Sequence, residues 1–292
     1  MPWRQLSLKV AAAQTEAVED LLLEMGAVAL TLEDASGQPL LEPGPGETPL
    51  WDRVHLHSLF EADTELALVA HQLGAAGFID DPTSVVMKTV EDQAWERVWM
   101  DRFQPMRFGQ RLWIYPRHHE APESADDRIV RLDPGLAFGS GTHPTTAMCL
   151  RWLDGADLSG KVLVDYGCGS GVLAIAAALC GAEKVWCVDH DEQALIATRE
   201  NAEVNGVLDR VVTCHPDELP AASADVVLAN ILAGILCELS PRLMALLKPQ
   251  AQLVMSGMLH AQVDDVQRHY AEASLQWQRQ QEEDWSLLVG QR

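Results

Sequence analysis

The chain has 292 residues, 48% of them hydrophobic, and a formal charge of -22 from 21 Lys+Arg against 43 Asp+Glu. That apolar fraction excludes wholesale disorder, and the length suits two domains. The acidic balance argues against nucleic acid as the main partner, because phosphate binding needs clustered Lys and Arg.

Residues 1–100 carry 17 of the acids and only 5 of the cations, so the first third is the more acidic surface. Solubility and a dock for a basic partner explain this equally well at this stage. The start, Met-Pro-Trp-Arg-Gln-Leu, lacks an apolar core, and the longest apolar run, Val172 to Ala182, is too short for a membrane span. The six cysteines show no Cys-x-x-Cys pair, so neither a disulfide framework nor a zinc cluster is signalled, and no metal is expected. A reduced, cytoplasmic protein without membrane contact is the expectation, with a monomer as the default.

In chain order, residues 3–10 alternate as a half-buried strand does, and residues 14–26 put Ala17, Leu21, Leu22 and Met25 on one helical face before a Gly26 cap. A strand over 27–33 and a Pro/Gly-rich loop over 36–49 follow. The pattern then repeats: a strand over 53–60, a helix over 64–73 stopped at Gly74, and a strand over 84–90. Two strand–helix–strand units of this size predict a small ferredoxin-like α+β domain over residues 1–91. His55 and His57 share one face of a strand and offer two metal ligands without a third. Residues 92–106, with Trp95 and Trp99 one turn apart, read as a linker helix.

Residues 107–292 change texture. Strands are predicted over 111–115, 129–132, 161–166, 184–189, 211–214, 225–229 and 251–256. Helices are predicted over 145–153, 171–179, 192–204, 231–246 and 261–270, and a closing hairpin over 276–289. Strands alternating with helices of this length predict an α/β fold with a doubly wound parallel sheet.

The chemistry concentrates at three strand ends. In Lys161-Val-Leu-Val-Asp-Tyr-Gly-Cys-Gly-Ser-Gly171 an apolar strand runs into Asp165 and glycines at 167, 169 and 171. Glycines admit a ligand close to the backbone at the carboxyl end of a strand, where open α/β sheets bind ligands. The spacing is G-x-G-x-G, whereas a nicotinamide-binding turn is G-x-G-x-x-G. An acid just ahead of the turn suits a sulfonium and an ammonium and would repel a pyrophosphate. The next strand ends at Asp189, placed to accept hydrogen bonds from ribose hydroxyls, while Asp191 suits the cap of the following helix. Asp225-Val-Val-Leu-Ala-Asn230 ends in an amide that either orients an acceptor nitrogen or caps the next helix. Upstream, Leu132-Asp-Pro-Gly-Leu-Ala-Phe-Gly-Ser-Gly-Thr-His-Pro-Thr-Thr146 reads as a loop that opens a helix at Thr145 or Thr146.

The glycine turn resembles the first motif of S-adenosylmethionine-dependent methyltransferases. Taken with the loop over 132–146, Ala-Asn-Ile-Leu-Ala over 229–233, Pro-Gly-Glu-Thr over 45–48 and the segment 95–109, the whole chain resembles the bacterial methyltransferases of ribosomal protein L11. Departures are small: Ser140 stands where the family often has Thr, Tyr166 where Phe is usual, and Val98 where Glu is common.

The resemblance implies an amino-terminal substrate-recognition domain, a linker and a seven-stranded Rossmann-like methyltransferase domain. It also implies in-line methylation of lysine ε-amines and the terminal α-amine of a basic large-subunit ribosomal protein. Carried over by motif, Thr145, Thr146, Asp165, Gly167, Gly169, Asp189 and Asn230 would hold S-adenosylmethionine, with Asn230 also catalytic. Phe103, Phe138 and His143 match segments close to the site. The alternatives are a methyltransferase acting on a glutamine amide or RNA, and a non-catalytic assembly or cofactor-sensing protein on the same fold.

Overall fold

A computed structural model describes residues 2–37, 50–79, 84–91, 104–120, 126–133, 141–219, 224–271 and 274–292. The expected linker helix up to residue 103, the loop over 38–49 and the segment containing Phe138 fall outside these residues, as does Phe103, while Met106, placed at the end of that helix, instead begins a strand. The chain divides into two compact units, Met1–Trp95 and Glu96–Arg292.

In the first unit the order is β1 (Trp3–Ala11), α1 (Thr15–Glu24), β2 (Ala29–Asp34), β3 (Arg53–Phe60), α2 (Leu66–Ala75) and β4 (Val86–Val90). The strands form one antiparallel sheet in the order β2-β3-β1-β4, as expected of a ferredoxin-like unit. Alternation in β1 and β3 sends Leu6, Leu8, Val10, Leu56 and Phe60 to the face covered by both helices. The buried stripe of α1 is Thr15, Val18 and Leu22, with Ala17 exposed, so the helix is rotated from the expected face. Gly26, at φ +93°, stands just past the C-cap. Helix α2 runs through Gly74 and ends at Ala75.

On the open sheet face, His57 has both ring nitrogens engaged, Nδ1 with Ser7 Oγ at 2.7 Å and Nε2 with Glu33 Oε2 at 3.3 Å. His55 stacks on it, ring centroids 6.1 Å apart. This pair is a polar cluster of the sheet surface, with side-chain partners of its own.

Among the described residues the second unit holds two sheets. The small one joins β5 (Met106–Phe108), β6 (Leu112–Tyr115) and β7 (Arg128–Arg131) in the order β5-β6-β7. The two strands predicted over 111–115 and 129–132 therefore pair apart from the main sheet, and β5 was not anticipated. The main sheet contains β8 (Val162–Tyr166), β9 (Lys184–Val188), β10 (Val211–Cys214), β11 (Ala224–Asn230), β12 (Leu247–Leu259), β13 (Gln276–Glu282) and β14 (Trp285–Gln291). Their order is β10-β9-β8-β11-β12-β14-β13, parallel except that β14 runs against both neighbours.

The helices of this unit are α3 (Pro144–Gly155), α4 (Val172–Leu179), α5 (Glu192–Val204), α6 (Ala233–Glu238), α7 (Ser240–Leu246) and α8 (Val263–His269). Helix α4 is apolar all round and packs inside one core with β8, β9 and α3. The single helix expected over 231–246 is broken into α6 and α7. Pro241, which has no N–H to continue the first helix, sits in the opening turn of the second.

A second core lies on the other side of the sheet, under α6, α7 and α8. Strand β12 bulges between Met255 and Met258, and Gly257 there has φ +85°. A Cβ on Gly257 would lie 2.4 Å from the backbone oxygen of Ile231, so β12 passes directly against the corner where β11 ends. Ile231 N–H donates to Ser256 O at 3.2 Å across the same contact. Gly257→Ala is accordingly expected to destabilise this unit by at least ~2 kcal/mol, read by denaturant unfolding, from the left-handed backbone plus the clash.

Candidate active site

From β8 the chain goes one way to β9 and the sheet's other half begins at β11, so the carboxyl ends of β8, β9 and β11 border a topological switch point. Thr145, Thr146, Asp165, Gly167, Gly169, Asp189 and Asn230 stand around this edge.

The turn after β8 is tied to β9: Gly167 N–H and Cys168 N–H both donate to Val188 O, at 2.7 and 3.1 Å. Gly167 has φ +78°, and a Cβ there would sit 2.4 Å from Ile231 Cγ2. Only glycine lets the turn and the β11 corner approach so closely.

Asp189 supports the turn as well as facing it. Its Oδ2 accepts from Gly169 N–H at 3.0 Å and its Oδ1 from Asp191 N–H at 3.1 Å. Asp191 caps α5, accepting from Gln193 N–H at 2.9 Å, the division of roles expected from sequence. Two residues that sequence reading missed complete the scaffold. Thr198 Oγ1 donates to Gly169 O at 3.0 Å, and Asn201 Nδ2 donates to Ser170 O at 2.9 Å. They lie one turn apart on the buried side of α5, and that polar i, i+3 pair was the available signal.

Asp165, 1% exposed, lies beneath the turn. Its Oδ2 accepts from Ala174 N–H, in the first turn of α4, at 3.1 Å. Its Oδ1 is buried with no hydrogen-bond partner among the described residues. Burial, assisted by the charge of Asp189 and opposed by the Ala174 bond, pushes the Asp165 carboxyl up to about 7.

Asn230, the last residue of β11, donates from Nδ2 to Thr146 Oγ1 at 3.2 Å. Its Oδ1 is also buried and unpartnered among the described residues. The cap of α6 is Leu232, without a side-chain bond, so Asn230 is not spent as a helix cap. Thr146 and Thr145 are buried at the start of α3. His143 is the cap there: Nδ1 accepts from Thr145 N–H at 3.4 Å and meets Thr145 Oγ1 at 2.7 Å. Its ring packs edge-on against Trp285 at the start of β14, centroids 4.7 Å apart. Burial lowers the His143 pKa, with Glu283 opposing.

The arrangement thus presents acceptor oxygens (Asp165 Oδ1, Asn230 Oδ1 and the free lone pairs of Asp189) around a glycine turn no side chain can fill. Such a set suits a ligand that carries positive charge and N–H or O–H donors. Asp165, Gly167, Gly169 and Asp189 come together on one side of the edge, and Asn230 with Thr146 on the other.

The family described as ribosomal protein L11 methyltransferase matches residues 2–292. A protein of that name from Azotobacter vinelandii is 50% identical over 295 residues, covering 100% of both chains. One from Pseudomonas aeruginosa is 50% identical over 294 residues, covering 100% of this chain and 99% of its own. A crystal structure titled ribosomal protein L11 methylase, from Lactobacillus delbrueckii subsp. bulgaricus, is 32% identical with a TM-score of 0.60, covering 65% of this chain and 99% of that one.

The raised pKa of Asp165 makes a signed prediction. An unfolded Asp titrates near 3.9, so between about pH 4 and 7 the folded ligand-free protein holds a proton that the unfolded chain has lost. Stability from this group is complete below about pH 4 and falls as pH rises through about 7. Denaturant midpoints compared at pH 5 and 7.5 should show that fall in the parent and a flatter profile in Asp165→Asn.

Proposed function

The chain belongs to the ribosomal protein L11 methyltransferase family, and from that membership we propose a working assignment for its two units and the residues of its catalytic edge. The protein is an enzyme that methylates amino groups, lysine ε-amines and the amino-terminal α-amine, of ribosomal protein L11 with S-adenosylmethionine as methyl donor. Bound at the switch point, S-adenosylmethionine supplies an electrophilic methyl group on a sulfonium.

Asp189 binds ribose hydroxyls with the lone pairs left by Gly169 and Asp191. The Gly167 turn gives the amino-acid portion of the donor room against the backbone, and Asp165, held toward neutrality in the ligand-free protein, ionises beneath it when the cationic donor binds. Thr145 and Thr146 close the edge from α3. Asn230 Oδ1 accepts an N–H of the incoming amine while Thr146 Oγ1 fixes the amide plane, so the nitrogen lone pair is held in one direction. One observation carries this role: the Asn230 carbonyl is buried and unpartnered while its amide is already held.

The first unit is assigned to substrate recognition. Helix α1 carries Glu16, Glu19, Asp20 and Glu24 with no Lys or Arg. Glu24 also sits at the helix's carboxyl end, where an anion gains nothing from the macrodipole. An anionic helix suits a Lys-bearing substrate. We further assign the enzyme to the cytoplasm as a monomer that does not bind nucleic acid directly. Among the described residues no helix is long and apolar enough to cross a membrane.

Incubation with tritiated S-adenosylmethionine and separated ribosomal components should label one basic large-subunit protein, whereas label on RNA would overturn the assignment. Asn230→Ala should lower kcat by about 10²-fold, the cost typical of a mispositioned reactant, with the unfolding midpoint nearly unchanged. Raising ionic strength, or the triple change Glu16→Gln, Glu19→Gln, Asp20→Asn, should raise KM for the protein substrate and leave kcat alone. A KM indifferent to both would return the acids to solubility.

A further inference from the structure

On the outer helical layer of the second unit, away from the glycine turn, three metal-ligating side chains meet. One ligand atom each from Cys237 on α6 and from Asp265 and His269 on α8 lie within 4.8 Å of one another. Asp265 and His269 are four residues apart and share a helix face. Cys237 is half-buried and the other two are exposed, so the cluster opens to solvent.

The two helices are held in register by the core. Tyr270 Oη–H, buried at the end of α8, donates to the carbonyl of Leu236, the neighbour of Cys237, at 2.7 Å. Val263, Val266 and Leu236 pack in the same apolar cluster. Backbone positions are therefore fixed, while the exposed Asp265 and His269 side chains can shift at little cost. Bond lengths of about 2.0–2.3 Å around a tetrahedral ion put ligand atoms roughly 3.5 Å apart, within that freedom.

Two details fit a ligand set. His269 Nδ1 lies 3.0 Å from the Asp265 carbonyl oxygen of its own helix, the bond that fixes the tautomer of a ligating histidine and leaves Nε2 its lone pair. Arg268 engages Asp265 through Oδ1 at 2.9 Å, which leaves Oδ2 free, and that exposed pair is cheap to rearrange.

We propose that Cys237, Asp265 and His269 form a binding site for a borderline-soft divalent cation, zinc above all, with water completing the coordination. Sulfur and nitrogen donors beside one carboxylate select zinc over magnesium or calcium. The ion pins α6 to α8. Since α6 starts three residues after Asn230, it also braces the catalytic corner from outside. Because the thiolate is the ligand, cation uptake releases the Cys237 thiol proton to solvent.

The test uses the full reduced chain. Cobalt(II), titrated as a spectroscopic stand-in for zinc, should bind with one ion per chain and give a sulfur-to-cobalt charge-transfer band that zinc then displaces. Cys237→Ser should abolish the band while keeping the parent's circular dichroism. Asp265→Asn and His269→Gln, both surface changes that leave the fold intact, should each weaken uptake by at least about tenfold. Absence of saturable uptake in the parent, or a band that survives Cys237→Ser, overturns the site. Methylation is not the readout, so the outcome is independent of the catalytic assignment.

Discussion

The corner at Ile231 is threaded between two glycines, and the catalytic edge depends on that fit. On one side its Cγ2 fills the space where Gly167 would carry a Cβ, and on the other its backbone lies where Gly257 would. A side chain at either position would push β11's end away from the turn after β8 or away from β12. Asn230 immediately precedes this corner, so the distance from its amide to the turn is set by close packing rather than by a polar contact. The hydrogen bonds from Gly167 and Cys168 to Val188 fix the third strand to the same point.

Around that point the site keeps part of its hydrogen-bonding capacity unspent. Asp165 uses one oxygen to hold α4 and leaves the other buried and bare. Asn230 uses its amide nitrogen on Thr146 and leaves its carbonyl bare. In a finished interior each of these would be a cost, because an unpaired buried acceptor loses its water without return. At a ligand edge the same deficit becomes binding energy when a cationic, donor-rich molecule arrives. The shift of Asp165 toward neutrality is the ligand-free protein's own response to that deficit.

Much of this was legible in the sequence because it is local. The alternating β1 and β3, the glycine turn, the Asp189 and Asp191 division and the closing hairpin each follow from residues near one another. What sequence reading missed depends on distant parts of the chain. Whether Asn230 caps a helix turns on where α6 begins, and the backbone conformation at Leu232 settles that. The break at Pro241 was visible in principle, but the apolar residues on both sides carried the helical period across it. The one-residue rotation of α1 toward Val18 follows from which side the sheet occupies, which no single helix encodes. Thr198 and Asn201 looked like ordinary helix polarity until the turn was set against them. Cys237 and the Asp265–His269 pair are separated by α7 and β12, so no spacing rule joins them.

Trp285 carries a further consequence, one of timing. The ring that supports His143, and through it the amino end of α3, comes from β14, which slots between β12 and β13 and is translated after nearly everything else in the sheet. A nascent chain has its glycine turn, Asp189 and Asn230 long before this wedge arrives. The Thr145–Thr146 side of the edge gains the Trp285 contact only through this hairpin. The amino end of α3 is therefore completed by a strand far from it in the chain, after the elements that form the glycine turn.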